Sequence, residues 1–60
     1  MLKIAGVFEV YELDGEHYWL LRDWDGQVIA RNGGYASWAG VHTDIERLRV
    51  VALTANVVEA

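Results

Sequence analysis

The sequence predicts an α+β domain: a three-stranded antiparallel meander followed by one helix and a short last strand, in the order β-β-β-α-β. Three observations carry this. Two Asp-Gly pairs, Asp14-Gly15 and Asp25-Gly26, each lie between runs rich in Val, Ile, Tyr, Trp and Leu. Asp-Gly is a strong hairpin signal, because a type I′ turn needs positive φ at both central residues. Beyond the meander, Val41, Ile45, Leu48 and Ala52 recur at i, i+4, i+7 and i+11, one face of a helix.

Each element follows from local pattern. Met1 to Gly6 reads as a lead-in or an extension of the first strand. Strand one runs from about Val7 to Leu13. Phe8, Val10 and Glu12 point one way; Glu9, Tyr11 and Leu13 point the other. Strand two runs from about His17 to Asp23, with His17, Trp19 and Leu21 on one face and Tyr18, Leu20 and Arg22 on the other. Both faces carry apolar groups, which a simple half-buried strand does not need. Strand three covers Gln27 to about Arg31, and Asn32-Gly33-Gly34 breaks the pattern.

Ser37 is placed to cap the helix, its hydroxyl accepting from a first-turn amide. Arg47 and Arg49 fall toward the C-terminal end, where the helix dipole favours cations. Thr43-Asp44-Ile45-Glu46 is a competing capping box that would start the helix later. Ser37 is preferred because Val41 carries the apolar stripe back toward it. Gly40 costs about 1 kcal/mol against Ala in a helix interior. Asn56 to Glu59 reads as a fourth strand. The expected core is Phe8, Val10, Trp19, Leu21, Val28, Ile29, Val41, Ile45 and Leu48.

Size and composition limit what the chain can be. Residues 1–60 make a single small domain with 53% hydrophobic residues, three Trp, three Tyr, no Cys and no Pro. A chain this short buries only about 60% of its unfolded surface and is marginal alone. No disulfide or Cys-based zinc framework can supplement the core, so surplus apolar material points to association. The net charge is −4. The acids concentrate in the meander, at Glu9, Glu12, Asp14, Glu16, Asp23 and Asp25, which opposes phosphate backbones and disfavours nucleic acid. No apolar run approaches the roughly 20 residues a membrane span needs. The N-terminus lacks a signal peptide's apolar region, which makes the cytoplasm the default compartment.

The chemistry-bearing residues are few. His17 belongs to strand two, where a packed histidine is the ordinary outcome. His42 and Asp44 are two apart on a helix and do not face each other. Ser37 lacks a GxSxG elbow, and Gly33-Gly34 lacks a phosphate-loop context. No catalytic residue, cofactor site or metal site is expected, and the chain does not read as an enzyme.

Taken together, Phe8-Glu9-Val10-Tyr11, Gly15, Trp19 and Leu21, Asp25-Gly26-Gln27-Val28-Ile29-Ala30, Gly34-Tyr35-Ala36-Ser37 and Ile45-Glu46-Arg47-Leu48-Arg49 resemble the YegP-like domain, a small domain of unknown function. The resemblance runs without a gap from Phe8 to Ala52. It implies two units, as tandem repeats or subunits, that form one sheet and exchange C-terminal strands; for a single unit, that is a homodimer. It implies no activity and no catalytic residues. Relatives commonly carry basic residues at the positions of Tyr18, Leu20 and Trp38, and a small residue at Trp24. These four are the candidate partner-binding residues, since Trp and Tyr are favoured interface anchors. Their cover is either another protein or the chain's own Leu2 and Ile4. The alternative is a small-molecule pocket at the dimer seam, lined by Trp and His.

Overall fold

The computed structural model describes residues 5–59. Three antiparallel strands, β1 (Gly6–Leu13), β2 (Glu16–Asp23) and β3 (Val28–Tyr35), precede one helix, α1 (Trp38–Thr54). The sheet order is β1-β2-β3, so both outer edges are unpaired among the described residues. The α+β meander with its helix is therefore present. Among the expectations that touch residues 1–4, the packing of Leu2 and Ile4 lies outside the described residues.

The first hairpin forms as its dipeptide dictates. Asp14 has φ 53° and Gly15 φ 81°, both in the left-handed region a type I′ turn requires. The turn joins a ladder in strict register, Leu13 opposite Glu16 through Gly6 opposite Asp23. The second turn differs from the expected two-residue loop. Only Gly26 has positive φ there. The Asp23 amide donates to the Gln27 carbonyl (2.9 Å), and the Gly26 amide to the Asp23 carbonyl (3.0 Å). The Asp23 carboxylate also accepts from the amides of Asp25 and Gln27. This is a three-residue loop, Trp24-Asp25-Gly26, stabilised by an aspartate that bonds the backbone ahead of it.

β3 runs further than its composition suggests, through Asn32-Gly33-Gly34 to Tyr35. The glycines do not end the strand. An ideal Cβ on Gly33 would lie 1.7 Å from the Tyr18 ring, so the ring occupies the space a side chain would need. Gly34 is the extra residue of a bulge between the pairs His17–Tyr35 and Tyr18–Gly33. Ile29 is the extra residue of a second bulge, between Leu21–Ala30 and Arg22–Val28.

The sheet faces are as the period-2 pattern requires. Phe8, Val10, Trp19, Leu21 and Ala30 share the helix side. The core is smaller than expected. Trp19 and Val41 are the only buried hydrophobic side chains among the described residues, Val41 completely; Phe8, Leu21, Val28, Ile45 and Leu48 are half-buried. Three members of the expected core are corrected. Val10 is 41% exposed, because α1 packs on β2 and β3 and leaves β1 uncovered. Ile29 is 59% exposed, displaced by its bulge. Val28, paired with Arg22, lies on the helix-free face.

α1 begins after Ser37, not at Thr43. Ser37 has the extended N-cap backbone, but its hydroxyl makes no capping hydrogen bond, which corrects the expected one. The helix continues to Thr54, so Arg47 and Arg49 sit inside it and no basic residue occupies the last turn. Val50, Val51, Ala52 and Leu53 are exposed, so the apolar stripe outruns the sheet. Residues 55–59 form no strand within this chain and are exposed, Val57 almost completely.

The Tyr18–Gly33 contact generates a test. Gly33→Ala should cost about 1–3 kcal/mol in urea unfolding, as overpacking does. Adding Tyr18→Ala should recover much of that loss. An unaffected Gly33→Ala chain would show that the ring does not rest on this glycine.

Candidate functional site

The strongest polar constellation joins helix to sheet. Asp44, half-buried on α1, accepts from the Trp19 indole nitrogen (2.9 Å) and from the Tyr35 hydroxyl. Asn32 Nδ2 reaches the same carboxylate oxygen at 3.4 Å and donates to the Tyr35 oxygen at 2.9 Å. The Tyr35 hydroxyl, then the Trp19 indole and the Asn32 amide, hold the Asp44 carboxyl below the ordinary carboxylate range, against a weaker upward push from burial. The same bond to Asp44 raises the Tyr35 hydroxyl. Clefts of about 310 and 320 Å³ flank this cluster, with Arg47 lining both. All three donors converge on one oxygen, Oδ2, which makes the carboxylate a tether between helix and sheet. Among the described residues no three His, Asp or Glu side chains converge as a metal site would require.

The four candidate partner-binding residues occupy three places. Tyr18 and Leu20 share the helix-free face of β2, half-buried. Tyr18 stacks on Tyr11 with ring centres 5.2 Å apart and planes 10° from parallel. Its hydroxyl donates to Glu16 (3.0 Å), whose carboxylate raises the Tyr18 hydroxyl. With Arg31 and Gly33 the two rings border a shallow cleft of about 530 Å³. Trp24 stands in the β2–β3 loop, 64% exposed. Trp38 opens α1 and meets His17 edge-on at 4.4 Å. His17 Nδ1 donates to the Tyr35 carbonyl at 3.3 Å, so this histidine packs between helix start and strand. None of the three clefts is lined by His17, His42, Trp24 or Trp38.

The largest apolar exposure lies elsewhere, at the end of α1 beside the apolar stripe and in the segment expected as the last strand. Val50, Val51 and Leu53 of α1, then Val57 and Val58, are between 55% and 99% exposed. A signal for this is present in the sequence: Val50, Val51, Ala52 and Leu53 are four consecutive apolar residues, which places apolar side chains on every side of the helix end.

Residues 13–59 match the family described as "Domain of unknown function (DUF1508)", to which the YegP-like domain corresponds. The match spans most of the chain, and the chain belongs to that family. Comparison with curated proteins and with solved structures finds no match.

The Asp44 tether predicts a particular acid response. Its folded pKa lies below the ordinary 3.8, so its stabilisation is fully present above 3.8 and is lost as pH falls through the lowered folded value. Asp44→Asn should be less stable than wild type at neutral pH, with the gap closing in acid. Parallel stability–pH curves for the two chains would contradict the assignment.

Proposed function

We propose that this member of the DUF1508 family is a protein-interaction module that works as a homodimer. One observation carries the reading: among the described residues the single chain buries only Trp19 and Val41, while aliphatic side chains stand in water along β1, the second half of α1 and the tail. The chain exposes 5093 Å², whereas a folded monomer of 6.8 kDa exposes about 3,950 Å² by the usual scaling. The excess, about 1,100 Å², exceeds the roughly 800 Å² per partner that a stable complex buries. The family resemblance supports the same reading, and the tail, Asn56 to Glu59, then serves as a strand supplied to the other subunit.

Within such a dimer, Tyr18 and Leu20 on the helix-free face are a surface offered to a further protein, and Trp24 and Trp38, which stand apart from it, are separate contact points. The acidic balance of the chain argues against nucleic acid in that role.

Sedimentation equilibrium at micromolar concentration should give twice the 6.8 kDa chain mass. Deleting residues 55–60 should lower mass and stability together. A truncated chain that stays folded and dimeric would remove the tail from the interface. Trp24→Ser should change stability by less than about 0.5 kcal/mol, as exposed substitutions do. A larger loss would make Trp24 part of the folded core or the dimer seam.

A further inference from the structure

Asn32-Gly33 stands where the Asp44 tether meets the outer edge of β3. The two-residue first turn makes Leu13 and Glu16 a hydrogen-bonded pair. Antiparallel alternation then turns the backbone groups of Tyr18 toward β1 and those of Trp19 toward β3. Asn32, opposite Trp19, is held in the ladder. Gly33, opposite Tyr18, directs its amide to the outer edge, which is unpaired among the described residues. The acceptor of that amide is the preceding side chain: Gly33 donates to Asn32 Oδ1 at 2.9 Å. Both residues are exposed, and the bulge at Gly34 follows directly.

This arrangement sets a nucleophile against an electrophile. The Asn32 side-chain amide lies against the Gly33 nitrogen, no ladder bond holds that nitrogen's proton, and glycine brings no Cβ to obstruct ring closure. We infer that Asn32-Gly33 is a site of spontaneous deamidation whose product loosens α1 from the sheet. Hydroxide takes the Gly33 amide proton, and the nitrogen attacks Asn32 Cγ. The bond from Cγ to Nδ2 breaks, and ammonia leaves with a proton from water. Water then opens the imide ring. Attack at Cγ gives aspartate; attack at the main-chain carbonyl gives isoaspartate, with the peptide link routed through the side chain.

The consequence follows from what Asn32 touches. Its Nδ2 donates to the Tyr35 oxygen at 2.9 Å and lies 3.4 Å from Asp44 Oδ2. Exchange of that nitrogen for a carboxylate oxygen removes a donor and sets a second negative charge beside the first. The one Tyr35 hydroxyl proton then serves two carboxylates, and like charges this close disfavour joint ionisation. Isoaspartate also lengthens the main chain of β3 beside Trp19. The change is irreversible, so the chain carries a one-way switch on the contact that seats its helix. This does not rest on the homodimer reading.

The whole chain, incubated in mildly alkaline buffer and followed by peptide mass mapping, tests the chemistry. Asn32 should gain the mass of an amide-to-acid exchange at least about tenfold faster than Asn56, the chain's other asparagine, which is exposed but precedes the stiff, β-branched Val57. Equal rates overturn the site. Asp14-Gly15 and Asp25-Gly26 rearrange by the same closure without change of mass, so the gain reports asparagine alone. The rate in the folded chain should lie within about a hundredfold of the rate in urea; a wider gap marks reaction through rare unfolded chains, populated on the order of 10⁻³ or less, and also overturns the site. Asn32→Asp supplies the product directly. Its urea midpoint at neutral pH should fall below that of wild type, and the gap should narrow in acid as the paired carboxylates take up protons. Asp44→Asn should cost less in the Asn32→Asp chain than in wild type, because there it also removes a repulsion. An Asn32→Asp chain as stable as wild type at neutral pH, or an equal cost of Asp44→Asn in both, overturns the switch.

Discussion

The carboxylate of Asp44 fixes how the helix sits on the sheet. It gathers the Trp19 indole from β2, the Tyr35 hydroxyl from the end of β3 and the Asn32 amide from the same strand. Trp19 is at once the largest buried side chain and a polar donor, so its nitrogen must find an acceptor where it is enclosed. Asp44 supplies that acceptor from α1 and thereby sets the helix over β2 and β3. The placement of Val41 in the core, the edge contact of Trp38 on His17 and the exposure of β1 all follow from that position.

The same position explains why so much apolar surface stays exposed on the single chain. A helix anchored over β2 and β3 cannot also cover β1, and its second half carries Val50, Val51 and Leu53 beyond any strand. Phe8 meets Trp19 at 5.6 Å and is only partly enclosed. The electrostatic contacts do not make up the difference. Arg22 pairs with Glu9 at 2.5 Å and Arg49 with Glu46 at 3.6 Å, both exposed, and such pairs contribute about 0–1 kcal/mol each. The proposed second copy would supply the burial that these contacts do not.

Features set by neighbouring residues were legible in the sequence. Asp14-Gly15 specified its turn, alternation assigned the faces of β1 and β2, and the 3.6-residue period found Val41, Ile45 and Leu48. The errors arose where distant residues decide. Ile29 was assigned to the core because nothing local announces a bulge. Gly33-Gly34 suggested a strand end, yet the ring of Tyr18, paired across from Gly33, keeps the strand going. Asp44 read as part of a capping box or as a neighbour of His42, because its donors lie 9, 12 and 25 residues away. The four candidate contact residues were picked from departures against relatives, which says where a residue is unusual and not which residues share a surface. Tyr18 and Leu20 do share one; Trp24 and Trp38 stand apart from them.

The central claim is that this chain reaches a stable fold by burying its surplus apolar surface against a second copy. Urea unfolding measured over a hundredfold range of chain concentration tests it directly. If folding and pairing are coupled, the midpoint rises steadily with concentration by mass action. A sharp, cooperative transition whose midpoint stays fixed across that range, in a chain sedimenting at 6.8 kDa, would contradict it.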